Sequence, residues 1–224
     1  MHTRKGSALS EVVWVVMAVV VLAAVACPML ATVQSDGASN TCQGNLKKIL
    51  RAMDTYAAEY NGILPLLESS DGKYWMDRLD RYTETTREER MKYDASTPYH
   101  CPTALETHPG FKKTNGSTYG VNGYCLSSQY FVPEAGEWVD MDVVPSMKLP
   151  RIKNPGDCMI FSDGHWSTDS WGPAVDVNYW ACPEFNHDGG ANVVFFDGHS
   201  RCVKRSEVPG QCRDPFWWPF GMRK

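Results

Sequence analysis

Lys5-Gly6-Ser7-Ala8-Leu9-Ser10-Glu11 leads into 20 apolar or small residues, Val12 to Ala31, that carry no charge. About 20 such residues are enough for a helix to cross the hydrocarbon of a bilayer, so residues 7–33 are expected to form a transmembrane helix. Glu11 stands at its edge, where a carboxylate is costly unless it has a partner. His2, Arg4 and Lys5 precede the helix, and the positive-inside rule keeps that end in the cytoplasm. The expected localisation is the inner membrane, single-pass, with everything after Val33 periplasmic or extracellular.

Two other readings of this segment stay open. Ala24-Val25-Ala26 would serve an ordinary signal peptide as its cleavage site, and Cys27 after it loosely fits a lipid-bearing cysteine. The length of the apolar run, the carboxylate at its start and Pro28 directly after Cys27 weigh toward a retained anchor.

Beyond the anchor, about 190 residues remain, enough for one domain with a sizeable core. With 43% hydrophobic and 21% charged residues, the chain as a whole has a globular rather than a disordered composition. The net charge of −4 excludes an electrostatically driven nucleic-acid partner, the more so if Arg4 and Lys5 are removed.

Ser35-Asp36-Gly37-Ala38-Ser39-Asn40 is small and polar, and a break is expected there. Leu46, Ile49, Leu50, Met53, Tyr56, Ala57 and Tyr60 then recur at three and four, which predicts an amphipathic helix ending at Asn61-Gly62. Trp75, Met76, Leu79 and Tyr82 predict a short helix, and the charge-rich run Glu84–Arg90 reads as a solvated face. From Ser117 onward the texture turns β-rich, with strands expected at Thr118–Val121, Met159–Ser162, Ala191–Phe196 and Ser200–Val203. Asp197-Gly198 between the last two is a hairpin signal, and Ser162-Asp163-Gly164-His165 looks like a second turn of that kind. A two-residue loop would put Ala191, Val193, Phe195, Ser200 and Cys202 on one face, lying on the helix. The fold class is α+β, a long helix, transmembrane and then amphipathic, packed on a small antiparallel sheet.

The leader ending in Gly6, the mature start at Ser7, Glu11 and the apolar helix beyond resemble the signal of type IV prepilins and type II secretion pseudopilins. His187, nine residues, then Asp197-Gly198 matches the His-X9-Asp-Gly signature of a pseudopilin-like family. Cys42-Gln43-Gly44-Asn45-Leu46, Tyr119-Gly120-Val121-Asn122 and Asn154-Pro155-Gly156 resemble its other recurrent pieces in the same order. Ser7 departs from the Phe usual at that position. The resemblance implies a pilin-like fold, cleavage after Gly6 by a prepilin peptidase, and methylation of the Ser7 amine. It also implies self-assembly, and assembly with other pseudopilins, through the N-terminal helix, Glu11 neutralising a neighbour's terminal amine. The expected organisation is a leader at 1–6, a membrane helix at 7–33, the periplasmic half of the helix at 34–62, an α+β head at 63–204 and an aromatic tail at 205–224.

Seven cysteines follow the membrane segment, an odd number in an oxidising compartment. Cys42 with Cys101 is the preferred disulfide, because one would sit on the helix and the other in a loop returning to it; Cys202 with Cys212 is a local alternative. Zinc from His100, Cys101, His199 and Cys202 is conceivable, although no CxxC pair occurs. The resemblance to major pseudopilins adds a calcium candidate, with Asp188 and Asp197 as ligands and Asn192 and Asp163 as further oxygen donors. His187 also reads as a structural clip, hydrogen-bonded to a backbone or carboxylate. His187, Asp197 and Ser200 are triad residue types, but no nucleophile elbow surrounds Ser200, so no enzyme is expected.

The tail Pro215-Phe216-Trp217-Trp218-Pro219-Phe220 would either dock on the domain or be displayed to a partner. Two functions follow: a pseudopilin-like subunit of an envelope filament or type II secretion pseudopilus, or a membrane-tethered module that captures polysaccharide or another surface polymer through its Trp-rich segment and tail. The mass spectrum of the mature amino terminus distinguishes the processing routes: a chain starting at Ser7 is expected, and a lipidated Cys27 would contradict it.

Overall fold

The computed structural model describes residues 7–107, 116–126, 129–132, 137–140, 148–164, 174–175, 183–211 and 214–219, without the side chains of 7–11, 23–36, 129–132, 137–140, 151 and 174–175. It divides into two compact units, Met1–Gly37 and Ala38–Lys224. Helix α1 is assigned over Ser7–Glu59, so the expected break at Ser35–Asn40 does not interrupt it. Helix propagation is cooperative, and a short run of small polar residues costs less than nucleating a second helix after it. In the first unit, Val12 to Leu22 are exposed, Trp14 by 74%. Among the described residues no helix is long and apolar enough to cross a membrane; the side chains of the second half of the apolar run lie outside them.

In the second unit, α1 buries Leu46, Ile49, Leu50, Met53 and Ala57 of the stripe expected from periodicity, and Cys42 besides, while Tyr56 is half-buried and Tyr60 stays 45% exposed. Each large apolar side chain in that stripe contributes about 1.5–3 kcal/mol on burial. The helix stops where Asn61 and Gly62 take positive φ, 54° and 80°, and the Gly62 amide donates to the Ala57 carbonyl.

Helices α2 (Trp75–Thr83), α3 (Arg87–Arg90) and α4 (Pro102–Thr107) precede the sheet. The charge-rich run is not wholly a solvated face. Thr86 and Glu89 form a reciprocal capping box that starts α3, and this turns Arg90 inward, where it is fully buried. Its guanidinium bonds Asp77 at 2.5 Å and Asp80 at 2.8 Å and lies over the Tyr99 ring. Periodicity could not show this, because the partners that accept the charge lie on α2.

Strands β1 (Tyr119–Asn122), β4 (Met159–Asp163), β6 (Gly190–Phe195) and β7 (Ser200–Lys204) form an antiparallel sheet in that order. β5 (Ala174–Val175) adds a parallel edge beside β1. After β1 comes the short helix α5 (Gly123–Leu126), and β2 (Gln129–Val132) pairs with β3 (Glu137–Asp140) as a separate ribbon. The architecture is α+β. Asp163 ends β4 rather than opening a turn, since Gly164 continues with its amide donating to the Thr118 carbonyl.

Both faces of the sheet are covered, which is why its central strands are nearly continuous apolar runs. Tyr119, Val121, Phe161 and Val194 pack with the α1 stripe. Met159, Ala191, Val193, Phe195 and Val203 pack with Phe216 and Trp217, so these two aromatics of the tail form the second cover. The hairpin pairs Val194 with Ser200 and Asn192 with Cys202, one residue away from the expected register. The loop has three residues, Phe196-Asp197-Gly198, with Gly198 at φ 91° in the left-handed position that such loops require. Slipping the pairing by one exchanges the faces of β7. Ala191, Val193 and Phe195 do share a face, but it meets the tail; Asn192, Val194, Ser200 and Cys202 take the opposite one.

Asn122 ties the layers together. Fully buried, it donates from Nδ2 to the Met159 and Trp217 carbonyls, both at 2.9 Å, and accepts from the Tyr124 amide at Oδ1. Asn122→Ala orphans two carbonyls and an amide and is expected to cost about 2–3 kcal/mol; Arg90→Ala strands two carboxylates and should cost about 3–5 kcal/mol. Urea unfolding of the two variants measures both values.

Candidate functional site

Four buried side chains converge where α1 meets the sheet: Cys42, Cys101, Asp163 and His187, with donor atoms all within 4.8 Å of one another. Each comes from a different element. Cys42 lies on the buried stripe of α1, and Cys101 immediately precedes α4, with its amide donating to Thr118 Oγ1 at 2.6 Å. Asp163 ends β4. His187 begins a tight reverse turn in which the amides and carbonyls of His187 and Gly190 bond reciprocally at 2.9 Å. Asp188 and Gly189 at its centre take φ of 51° and 71°. This Asp-Gly pair forms the two-residue, positive-φ turn that the sequence reading placed at Asp197-Gly198.

The Cys42 and Cys101 sulfurs are 2.9 Å apart, both as free thiols. His187 Nε2 lies 3.3 Å from Cys101 Sγ and 3.4 Å from Asp163 Oδ2. Asp163 Oδ2 also accepts the Asn192 amide at 2.6 Å, and the Ala104 amide donates to Cys101 Sγ at 3.4 Å. Among the described residues, Asp163 Oδ1 and Asn192 Nδ2, both buried beside the cluster, find no hydrogen-bond partner.

Burial alone would pull the His187 imidazole down, but the Asp163 hydrogen bond, the Cys101 contact and the Asp163 charge push it up to about 10. Burial raises Asp163, against the pull of His187 and the Asn192 amide. The pair titrates as a unit holding one proton, and the amide donated to the carboxylate favours that proton on the imidazole. Cys101 is raised by its bond with Cys42 and by burial. A thiol so held is no ready nucleophile. Moreover, Asp163 and Cys101 both meet the same imidazole nitrogen, whereas a triad uses both.

The other site expectations fall differently. His100 is buried but bonds the Arg90 carbonyl through Nε2 at 2.7 Å, and His199 Nδ1 bonds Asp197 Oδ1 at 2.6 Å. The expected zinc set thus separates, and of its members only Cys101 joins the cluster. Asp197 is committed to His199, and the Asp188 carbonyl accepts from Lys204 Nζ; neither belongs to the cluster. Two thiols and an imidazole are not the oxygen set calcium takes, so this cluster is not the calcium site expected at Asp188 and Asp197. Ser200 Oγ donates to Gln43 Oε1, and Gln43 and Ser39 both donate to Asn192 Oδ1, which docks α1 on β6 and β7. Gly6, Cys182 and Cys212 lie outside the described residues, as do the side chains of Ser7 and Glu11.

A shallow cleft of about 270 Å³, lined in part by Lys48, Arg51, Thr55, Tyr82 and Pro98, is smaller than most small-molecule sites. No protein-family model, curated protein or solved structure matches the chain.

Gly190 fixes the turn against β7, since a Cβ there would overlap Cys202 Sγ and press on the His187 and Val203 carbonyls. Gly190→Ala should destabilise by about 1–3 kcal/mol. Adding Cys202→Ala should recover part of that loss in a double-mutant cycle by thermal unfolding; strict additivity would contradict the contact.

Proposed function

We propose that the chain is a pilin-like structural subunit, anchored in the inner membrane after cleavage behind Gly6 and assembled side by side through its amino-terminal helix into an envelope filament or type II secretion pseudopilus. The observation that carries this reading is the sequence itself: Gly6-Ser7 followed four residues on by Glu11, at the edge of an uncharged apolar run that lies in a helix. An ammonium at Ser7 and a carboxylate at Glu11 are each costly in a bilayer, and a neighbouring copy supplies the opposite charge for both. The exposed side chains of Val12 to Leu22 support it further, because an apolar surface of this kind calls for lipid or partner helices.

In this mechanism a prepilin peptidase releases the Ser7 amine, and that amine docks on Glu11 of a subunit already in place. The same helix then continues into the head through the stripe Cys42–Ala57. His187, Asp197 and Gly198 serve the head as turn and loop residues. No catalytic step is required of them.

The module reading loses part of its surface, since Phe216 is 5% and Trp217 0% exposed.

Glu11→Ala tests assembly directly. The variant is expected to enter the membrane normally yet lose nearly all crosslinks between copies carrying a cysteine introduced at Val13. Undiminished crosslinking would contradict the proposed charge pairing.

A further inference from the structure

The geometry points to a structural zinc ion held by Cys42, Cys101, Asp163 and His187, clamping α1 to the sheet. Such a site is additional to filament assembly and does not depend on it.

The donor chemistry fits one ion. Zinc is borderline-soft and takes sulfur, imidazole nitrogen and carboxylate oxygen alike, and two sulfurs, one nitrogen and one oxygen make the four that a closed zinc site uses. Around a tetrahedral zinc with bonds of about 2.0–2.3 Å, ligand atoms stand about 3.3–3.8 Å apart. The Cys101–His187 and His187–Asp163 separations, 3.3 and 3.4 Å, already lie in that range. The sulfurs, at 2.9 Å, must part by about 0.8 Å, and all four donor atoms lie within 4.8 Å of one another.

The surroundings are also those of a metal site. A backbone amide aimed at Cys101 Sγ stabilises a thiolate, and the Asn192 amide fixes one oxygen of Asp163, as outer partners commonly do for ligands. Asp163 is 1% exposed in its side chain, and its second oxygen has no partner among the described residues. A cation bound at Oδ2, the oxygen that faces His187, neutralises this buried carboxylate. All four residues are buried, so the site has no open position and the ion's role is to join elements. Four segments far apart in sequence would be joined at one point.

The rival use of the same sulfurs is a disulfide, which removes both thiolates. The two states are chemically exclusive and are separated by mass and by metal content. The full chain, purified in detergent without chelator, should carry one zinc per molecule, released by a thiol-modifying mercurial. Its Cys42 and Cys101 peptides should have lost no hydrogens. Replacing zinc with cobalt(II) should give tetrahedral d–d bands and a thiolate charge-transfer band. Asp163→Asn and His187→Gln should each weaken zinc binding by ~10-fold or more, whereas Cys158→Ala, a buried thiol outside the cluster, should leave the stoichiometry at one. Should a variant fail to fold, the wild-type cobalt spectrum still decides. A Cys42–Cys101 disulfide short by two hydrogens overturns the proposal. So does a reduced, folded chain that takes up neither zinc nor cobalt.

Discussion

The head is organised by one constraint: the stripe on α1 must be buried against a sheet face that is apolar at Val121, Phe161 and Val194 and polar at Asn192 and Ser200. Apolar packing by Leu46, Ile49 and Met53 is strong but non-directional, and by itself it does not fix where the helix lies along the strands. Polar contacts do that. Gln43 and Ser39 meet Asn192, Gln43 meets Ser200, and Cys42 meets Cys101 beside Asp163 and His187. These contacts have direction and a high penalty when unmade, so they set the register of helix on sheet.

The same logic explains the sheet's second face. Burying β4 and β6 on the helix side leaves Met159, Val193 and Phe195 in need of a cover, and the chain supplies one from Phe216 and Trp217. Asn122 crosses between the layers, bonding the β4 and tail backbones with one amide. A tail that looks like a display of aromatics in the sequence becomes half of a core once the sheet it covers is known.

Much of this was legible in the residues, and what was not has physical causes. Periodicity gave the α1 stripe, the start of α2 and the four antiparallel strands of the main sheet, because those patterns are local; the β2–β3 ribbon and β5 were not expected. The hairpin register was missed because Asp197-Gly198 fits both a two-residue and a three-residue loop, and only the pairing across β6 and β7 decides between them. Arg90 looked solvated because its acceptors lie on another helix. The site was legible in pieces: Cys42 and Cys101 as a pair, His187 as a clip, Asp163 as an oxygen donor. Nothing in sequence spacing brings 42, 101, 163 and 187 to one point, since that convergence is made by the sheet order and by the turn that folds His187 back.

If the buried cluster sets the position of α1, disturbing one member must be felt on elements that it does not belong to. Native-state hydrogen exchange on His187→Gln is the most direct measurement. The account predicts lost protection in α1 between Cys42 and Ala57 and in β6, far from the substituted turn. Loss confined to residues 186–190, with α1 as protected as in the parent chain, would contradict it.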